Sequence, residues 1–306
     1  MKRILQLPAL LYAALCVLPG SAQAQYEYES IAYPGYAFVQ VFGVNDSGDL
    51  VGTAYEPGQA AFVYSSMDGS ATEIPPIDGY GAIGVLGIND AGTIAGSVLD
   101  LDGVTSRAFT RRSNGNVTVF SHPDAVSQTV ARAVNNRGLS TGTYDRADGT
   151  LGGFLYDPQT ETFTDLVPSV ITIAQGISSK GDVVGDARFD ADPCGGAVPF
   201  QRYGWVRRKD GTVTLFQVNG WHTVARGIND AGKVVGWAVD TSTSTSHGFI
   251  IDVPETSCAN VGAGPAEWVD FPGATFTFPQ GITNSDDIVG FYDDGSISNG
   301  FLAVRQ

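Results

Sequence analysis

The sequence predicts an all-β fold: a six-bladed β-propeller with four antiparallel strands per blade, closed by the N-terminal strand. Three observations predict it. A ten-residue pattern, Gly-Ile-Asn-Asp-x-Gly-x-Val-Val-Gly in its fullest form, occurs six times, at residues 43–52, 87–96, 133–142, 176–185, 227–236 and 281–290. Its spacing of 43 to 54 residues is that of a repeat architecture built from one small sheet per copy. Finally, the chain ends at residues 301–306 on what reads as a third strand, and begins at residues 27–33 on what reads as a fourth. The two ends therefore complete one blade between them, and no polar caps of an open solenoid are needed.

Each strand of the repeat follows from its residues. The first carries a branched aliphatic (Val44, Ile88, Val134, Ile177, Ile228, Ile282) beside a small residue at 43, 87, 133, 176, 227 and 281 that lets neighbouring sheets approach near an axis. A tight turn follows, with Gly where the backbone turns left-handed; only the last copy replaces that glycine, by Asp286. The second strand returns. The third carries an aromatic: Phe62, Phe109, Phe154, Trp205, Phe249 and Phe301. Asp68-Gly69, Asn114-Gly115 and Asp210-Gly211 then join third to fourth strands as hairpin turns. Residues 267–271 read as the fourth strand of the fifth blade. No segment sustains a helical period. Four strands cannot bury both faces alone, so radial stacking is the expected solution.

Residues 1–24 stand apart. Lys2 and Arg3, an apolar run over 4–18 and Ala22-Gln23-Ala24 read as a secretory signal peptide, leaving residues 25–306 as one domain that begins at Gln25. The expected location is the periplasm or the cell exterior. Loss of Lys2 and Arg3 takes the formal charge from −15 to −17. That balance disfavours nucleic acid and anionic lipid as partners, and no second apolar run predicts membrane insertion. A monomer with a glycan, a small molecule or an extracellular protein as partner is expected. Cys194 and Cys258 remain after cleavage. An oxidising compartment favours their pairing, whereas the blade phase places them on opposite faces; both outcomes stay open.

The pattern resembles a family. Gly-Ile-Asn-Asp-x-Gly-x-Val-Val-Gly followed by His-Ala-Phe is similar to the bacterial extracellular HAF repeats. The second element stands as His247-Gly-Phe249 and, altered, as Ala60-Ala-Phe62, Arg107-Ala-Phe109 and Asn299-Gly-Phe301. The resemblance implies secretion and a repeat fold, and no particular reaction.

With the first strand innermost, the Asn-Asp turns lie on one face, and the fourth-to-first and second-to-third loops on the other. The loop face then collects Tyr36, Tyr80, Asp78, His122, Asp124, Trp221, His222 and His247, all three histidines of the chain among them. Aromatic rings with a few polar groups suit a sugar or another ring-bearing ligand. His222 or His122 has the chemistry of a general base, with Asp124 or Asp78 as acid or orienting group; the plain alternative is that these residues fill loop ends. Arg132, Gln175, Arg226 and Gln280 share one register, held by Phe42 and Leu86 in the first two copies. They would line the channel with donors able to hold an anion or carboxylate, or simply bind water and carbonyls.

No cofactor is expected. Calcium is the one ion the sequence allows, through the Asn-Asp pairs at 45–46, 89–90 and 229–230 or through Asp100 and Asp102. Such turns supply few of the six to eight oxygens calcium takes, so a local hydrogen-bonding role is favoured. No histidine spacing suggests a metal centre. The expected function is a binding or interaction protein; the alternatives are a hydrolase or lyase acting on a carbohydrate or ester, and a structural surface protein.

Overall fold

The computed structural model describes residues 26–195, 201–262, 265–295 and 298–306; the expected signal peptide lies outside them. Among the described residues every regular element is a β-strand. Among the described residues no helix is long and apolar enough to cross a membrane.

The strands come in antiparallel meanders, one per sequence repeat. Phe38–Val44 (β2), Asp49–Tyr55 (β3), Gln59–Ser65 (β4) and Ala71–Glu73 (β5) form one sheet, and Ile83–Ile88 (β6), Ile94–Leu99 (β7), Ser106–Arg111 (β8) and Val117–Phe120 (β9) the next. Thr129–Val134 (β10), Ser140–Asp145 (β11), Leu151–Asp157 (β12) and Thr162–Leu166 (β13) follow, then Ile171–Ile177 (β14), Val183–Arg188 (β15), Arg202–Arg207 (β16) and Val213–Val218 (β17). A single parallel pair, Leu151 with Ile171, joins these two meanders. His222–Ile228 (β18), Lys233–Asp240 (β19) and Thr245–Asp252 (β20) pair in order. The chain then departs from the pattern. Ala259–Val261 (β21) runs parallel along the outer edge of β17 before Glu267–Trp268 (β22) returns to β20, so the expected fourth strand over 267–271 is only two residues long. Phe276–Ile282 (β23), Ile288–Asp293 (β24) and Ser298–Arg305 (β25) end the chain, and Tyr26–Ile31 (β1) pairs with β25 from Tyr26↔Arg305 to Ile31↔Gly300.

The core is written in the repeat. All six third-strand aromatics are fully buried. The last glycine of the pattern makes room for them: a Cβ on Gly185 would lie 2.0 Å from the Ile173 carbonyl oxygen and 2.6 Å from the Trp205 ring. The turn glycines have positive φ, as Gly48 does at 80°. Asp286 adopts the same region at 69°, and its carboxylate accepts from Asn229 Nδ2 at 2.9 Å and pairs with Lys233 at 2.7 Å.

The Asn-Asp turns are structural. Asn45 Oδ1 accepts from the backbone of Ser47 and Asp49, as the side chains of Asn89, Asn135 and Asn229 do in their own turns. The next residue reaches the neighbouring repeat. Asp46 N donates to Asp90 Oδ1, Asp90 N to Asn136 Oδ1, Asn136 Nδ2 to Ser179 Oγ, Ser179 N to Asp230 Oδ1, Asp230 N to Asn284 Oδ1, and Asn284 N back to Asp46 Oδ1. The carboxylates considered for calcium are thus engaged in a cycle of hydrogen bonds. Asp102 likewise accepts from Val104 and Thr105, and Asp100 pairs with Arg107.

Cys194 and Cys258 form a disulfide with Cα atoms 5.4 Å apart, which corrects the placement on opposite faces. The phase argument treats the insertion after β20 as a loop confined to its own end of the sheet. Instead β21 climbs the edge of β17, with Cys258 N donating to Leu215 O, and so carries its cysteine across the thickness of the sheet.

Candidate functional site

Each first strand carries a β-bulge, and the residue skipped in its register is Phe42, Leu86, Arg132, Gln175, Arg226 or Gln280. A bulge re-aims one side chain without ending the strand. These six side chains converge around one small cavity of about 10 Å³, room for roughly one water. Arg226 Nε donates to Gln280 Oε1 and Nη1 to Gln175 Oε1, both at 2.7 Å, so its charge meets only neutral acceptors. Gln175 Nε2 donates in turn to the fully buried Asp186. Burial and then the neighbouring Arg132 guanidinium press Arg226 below the usual arginine range; burial does the same to Arg132. Both remain charged at neutral pH.

A second cluster sits at the loop end of β18 and β20. The Asn219-Gly220 turn, with φ of 53° and 69°, places Trp221 just before β18. Its ring stacks at 27° on Trp268, centroids 5.8 Å apart, and at 29° on His247 at 5.9 Å. Asp270 Oδ2 lies 2.7 Å from His247 Nδ1, and its other oxygen accepts from Gly248 N. A carboxylate only accepts, so a proton sits on Nδ1 and Nε2 is the nitrogen turned away from Asp270. All three rings are half-buried.

The remaining candidates lie apart from that cluster. His122 is buried, stacked on Tyr144 with centroids 3.6 Å apart, and its Nδ1 accepts from Asp124 N. Its Nε2 lies 3.4 Å from Asp165. Burial lowers its pKa despite Asp165 and Asp124, and its setting is that of a packed neutral ring rather than an acid-base group at a surface. Asp124 itself is exposed, as is Asp78 in the turn that ends at Tyr80. Tyr80 packs on the core of the second meander, and Tyr36 against Tyr33 at 5.4 Å. His222 opens β18, with its pKa lowered by burial and then by Arg188 and Arg202.

Sequence reasoning missed Asp186, Arg188, Arg202, Trp268 and Asp270. Asp186 had a signal: its register after the pattern's last glycine holds Thr53, Ser97, Thr143, Trp237 and Phe291 elsewhere, and it alone is charged. Trp268 and Asp270 had none, because only the β20–β22 pairing brings them to His247.

No family model and no curated protein matches the sequence. Solved structures do resemble the fold. TolB from Acinetobacter baumannii superposes with a TM-score of 0.54 at 12% identity over 75% of this chain, which spans 57% of TolB. A gluconolactonase from Xanthomonas campestris gives 0.54 at 8% identity, over 93% of this chain and 91% of its own. The PQQ-bound aldose sugar dehydrogenase of Streptomyces coelicolor gives 0.51 at 11% identity, over 92% and 99%. At such identities the likeness speaks for architecture alone: the chain is an all-β protein with the β-propeller fold.

Proposed function

We propose that this chain is a secreted binding protein of the HAF-repeat kind, a six-bladed propeller whose last blade is completed by β1, and that it holds a glycan or another ring-bearing small molecule on its loop face. Support for the ring comes from the β1–β25 pairing and from the hydrogen bond that returns from Asn284 to Asp46. The observation that carries the function is the half-buried Trp221, Trp268 and His247 cluster, with His247 fixed by Asp270. Flat apolar rings beside an oriented polar group match a sugar, whose ring faces stack while its hydroxyls find partners. The test is calorimetric titration of residues 25–306 with neutral oligosaccharides. Trp221→Ala should weaken binding by about 2 kcal/mol, the range of a central aromatic contact. Equal affinities in wild type and variant would reject the cluster as the site.

One observation favours a second reading, a hydrolase or lyase acting on a carbohydrate or ester. The His247–Asp270 pair has the geometry of a general base held in one tautomer by a carboxylate. His247→Gln would then abolish product formation while leaving the dissociation constant nearly unchanged.

A further inference from the structure

Arg132 of β10, Arg202 of β16 and Arg226 of β18 lie around a single buried carboxylate, Asp186 of β15, and Arg188 stands two residues further along that strand. Arg202 Nε lies 3.2 Å from Asp186 Oδ2, and Asp186 Oδ1 accepts from Gln175. That aspartate is therefore committed to Arg202 and Gln175. Arg188 and Arg202 are partners across β15 and β16, and both act electrostatically on His222. Arg226 in turn feels Arg132, Asp186 and Arg202. The side chains of Arg132 and Arg188 form no hydrogen bond or ion pair among the described residues, and the Nε atoms of both are buried without a hydrogen-bond partner, whereas Arg202 Nε has only its ion pair with Asp186. The chain has only 17 Lys and Arg against 32 Asp and Glu. Placing these arginines near one aspartate thus runs against its overall charge, and burying unpaired charge costs several kcal/mol. Arg188 ends β15, Arg202 begins β16 and His222 begins β18, so this positive charge starts at the loop face and runs inward to Arg226 and Arg132.

We propose that this cluster is a carboxylate-binding site, entered from the loop face, in which Arg188 and Arg202 receive the acid group while Arg132 and Arg226 supply the field behind it. A guanidinium fork fits a carboxylate with two parallel N–H···O bonds. The axial cavity, about 10 Å³, is too small for the ligand, so only the acid group points inward and the rest of the molecule stays at the mouth. The carboxylate has two sources, a uronic acid in a glycan or a free small organic acid. The site stands on residues other than Trp221, Trp268 and His247, so it does not depend on the aromatic cluster being a sugar site.

The experiment is titration of residues 25–306 at constant ionic strength with glucuronate, galacturonate, their neutral parents glucose and galactose, succinate, and sodium chloride and sulfate. Binding by the uronates and not by their parents is expected; succinate binding as tightly as the uronates identifies a free acid as the natural source. Arg188→Gln and Arg202→Gln should each weaken binding at least about 10-fold, the effect of losing one charge-assisted pair. Trp221→Ala should leave free succinate binding intact, which separates failure of this site from failure of the aromatic one. Arg188→Gln removes a positive charge beside Arg202 and no side-chain hydrogen bond or ion pair among the described residues, so it should melt at or above the wild-type temperature. Two results overturn the proposal: no carboxylate bound at millimolar concentration, or sulfate and chloride bound as tightly as the acids. Carboxylate binding that survives both arginine variants overturns it equally.

Discussion

Ile31 is the residue by which β1 is held. It is 1% exposed, pairs with Gly300, and packs with Val39, Val41, Leu50, Phe62 and Leu302. It joins the edge of β25 to the core of the first meander, and Ile31→Ala tests that junction. The substitution removes three carbons, about 2.4 kcal/mol at ~0.8 kcal/mol for each. If a cavity of about 50 Å³ remains, about 1.2 kcal/mol more is lost at ~24 cal/mol per Å³. The sum, about 3.6 kcal/mol, should lower Tm by roughly 7–14 °C, at about 2–4 °C per kcal/mol for a domain of this size. Thermal melts followed by circular dichroism, with urea unfolding to obtain the free energy, measure it. Glu27→Ala is the control: Glu27 is exposed on the same strand and touches Gln306 rather than the first meander, and such surface substitutions stay within about 0.5 kcal/mol. A drop below about 1 °C for Ile31→Ala would refute the closing role of β1.

Two further predictions concern stability. The Cys194–Cys258 bridge closes a span of 64 residues, for which chain entropy gives about 4 kcal/mol; Cys258→Ser, or reduction of the native protein, should lower Tm, and a melt insensitive to reductant would argue against the bridge. His122 has a folded pKa below its unfolded value of about 6.5. Below that pH the unfolded chain takes up a proton that the folded one refuses, so stability contributed by His122 is present above pH 6.5 and is lost as pH falls toward the folded pKa. His122→Phe keeps a ring against Tyr144 and should reduce the loss of Tm between pH 7.5 and 5.5; His222, also depressed, acts with the same sign and leaves part of the slope. An unchanged slope would contradict a neutral buried His122.

Much of the architecture is legible because the repeat states its own steric rules. A glycine falls where φ is positive, as at Gly48, and another where a ring covers the backbone, as at Gly185 under Trp205. Arg132, Gln175, Arg226 and Gln280 could be set in one register because each occupies the same bulge. What could not be read is whatever depends on the path of the segments that lengthen the fourth and fifth repeats. Trp221 and His247 were on the page, but their partners Trp268 and Asp270 arrive through a strand shortened to two residues. Arg188 and Arg202 flank an insertion whose length hides that they face one another. The disulfide was obscured for the same reason: the path of β21 along β17 is a tertiary choice that no local propensity announces.

The missing side chains near the axis have a consequence for transport. A Cβ on Gly43 would lie 2.9 Å from Gly87 Cα, one on Gly87 2.9 Å from Ala133 Cα, and one on Gly176 2.5 Å from the Arg226 carbonyl oxygen. Backbone against backbone is as near as strands can come, so these positions gauge the bore, and the bulged side chains then stopper it down to the volume of a single water. In the closed ring proposed above, a solute moving between the loop face and the Asn-Asp face would meet these six side chains rather than an open bore, and each face could hold its own partner.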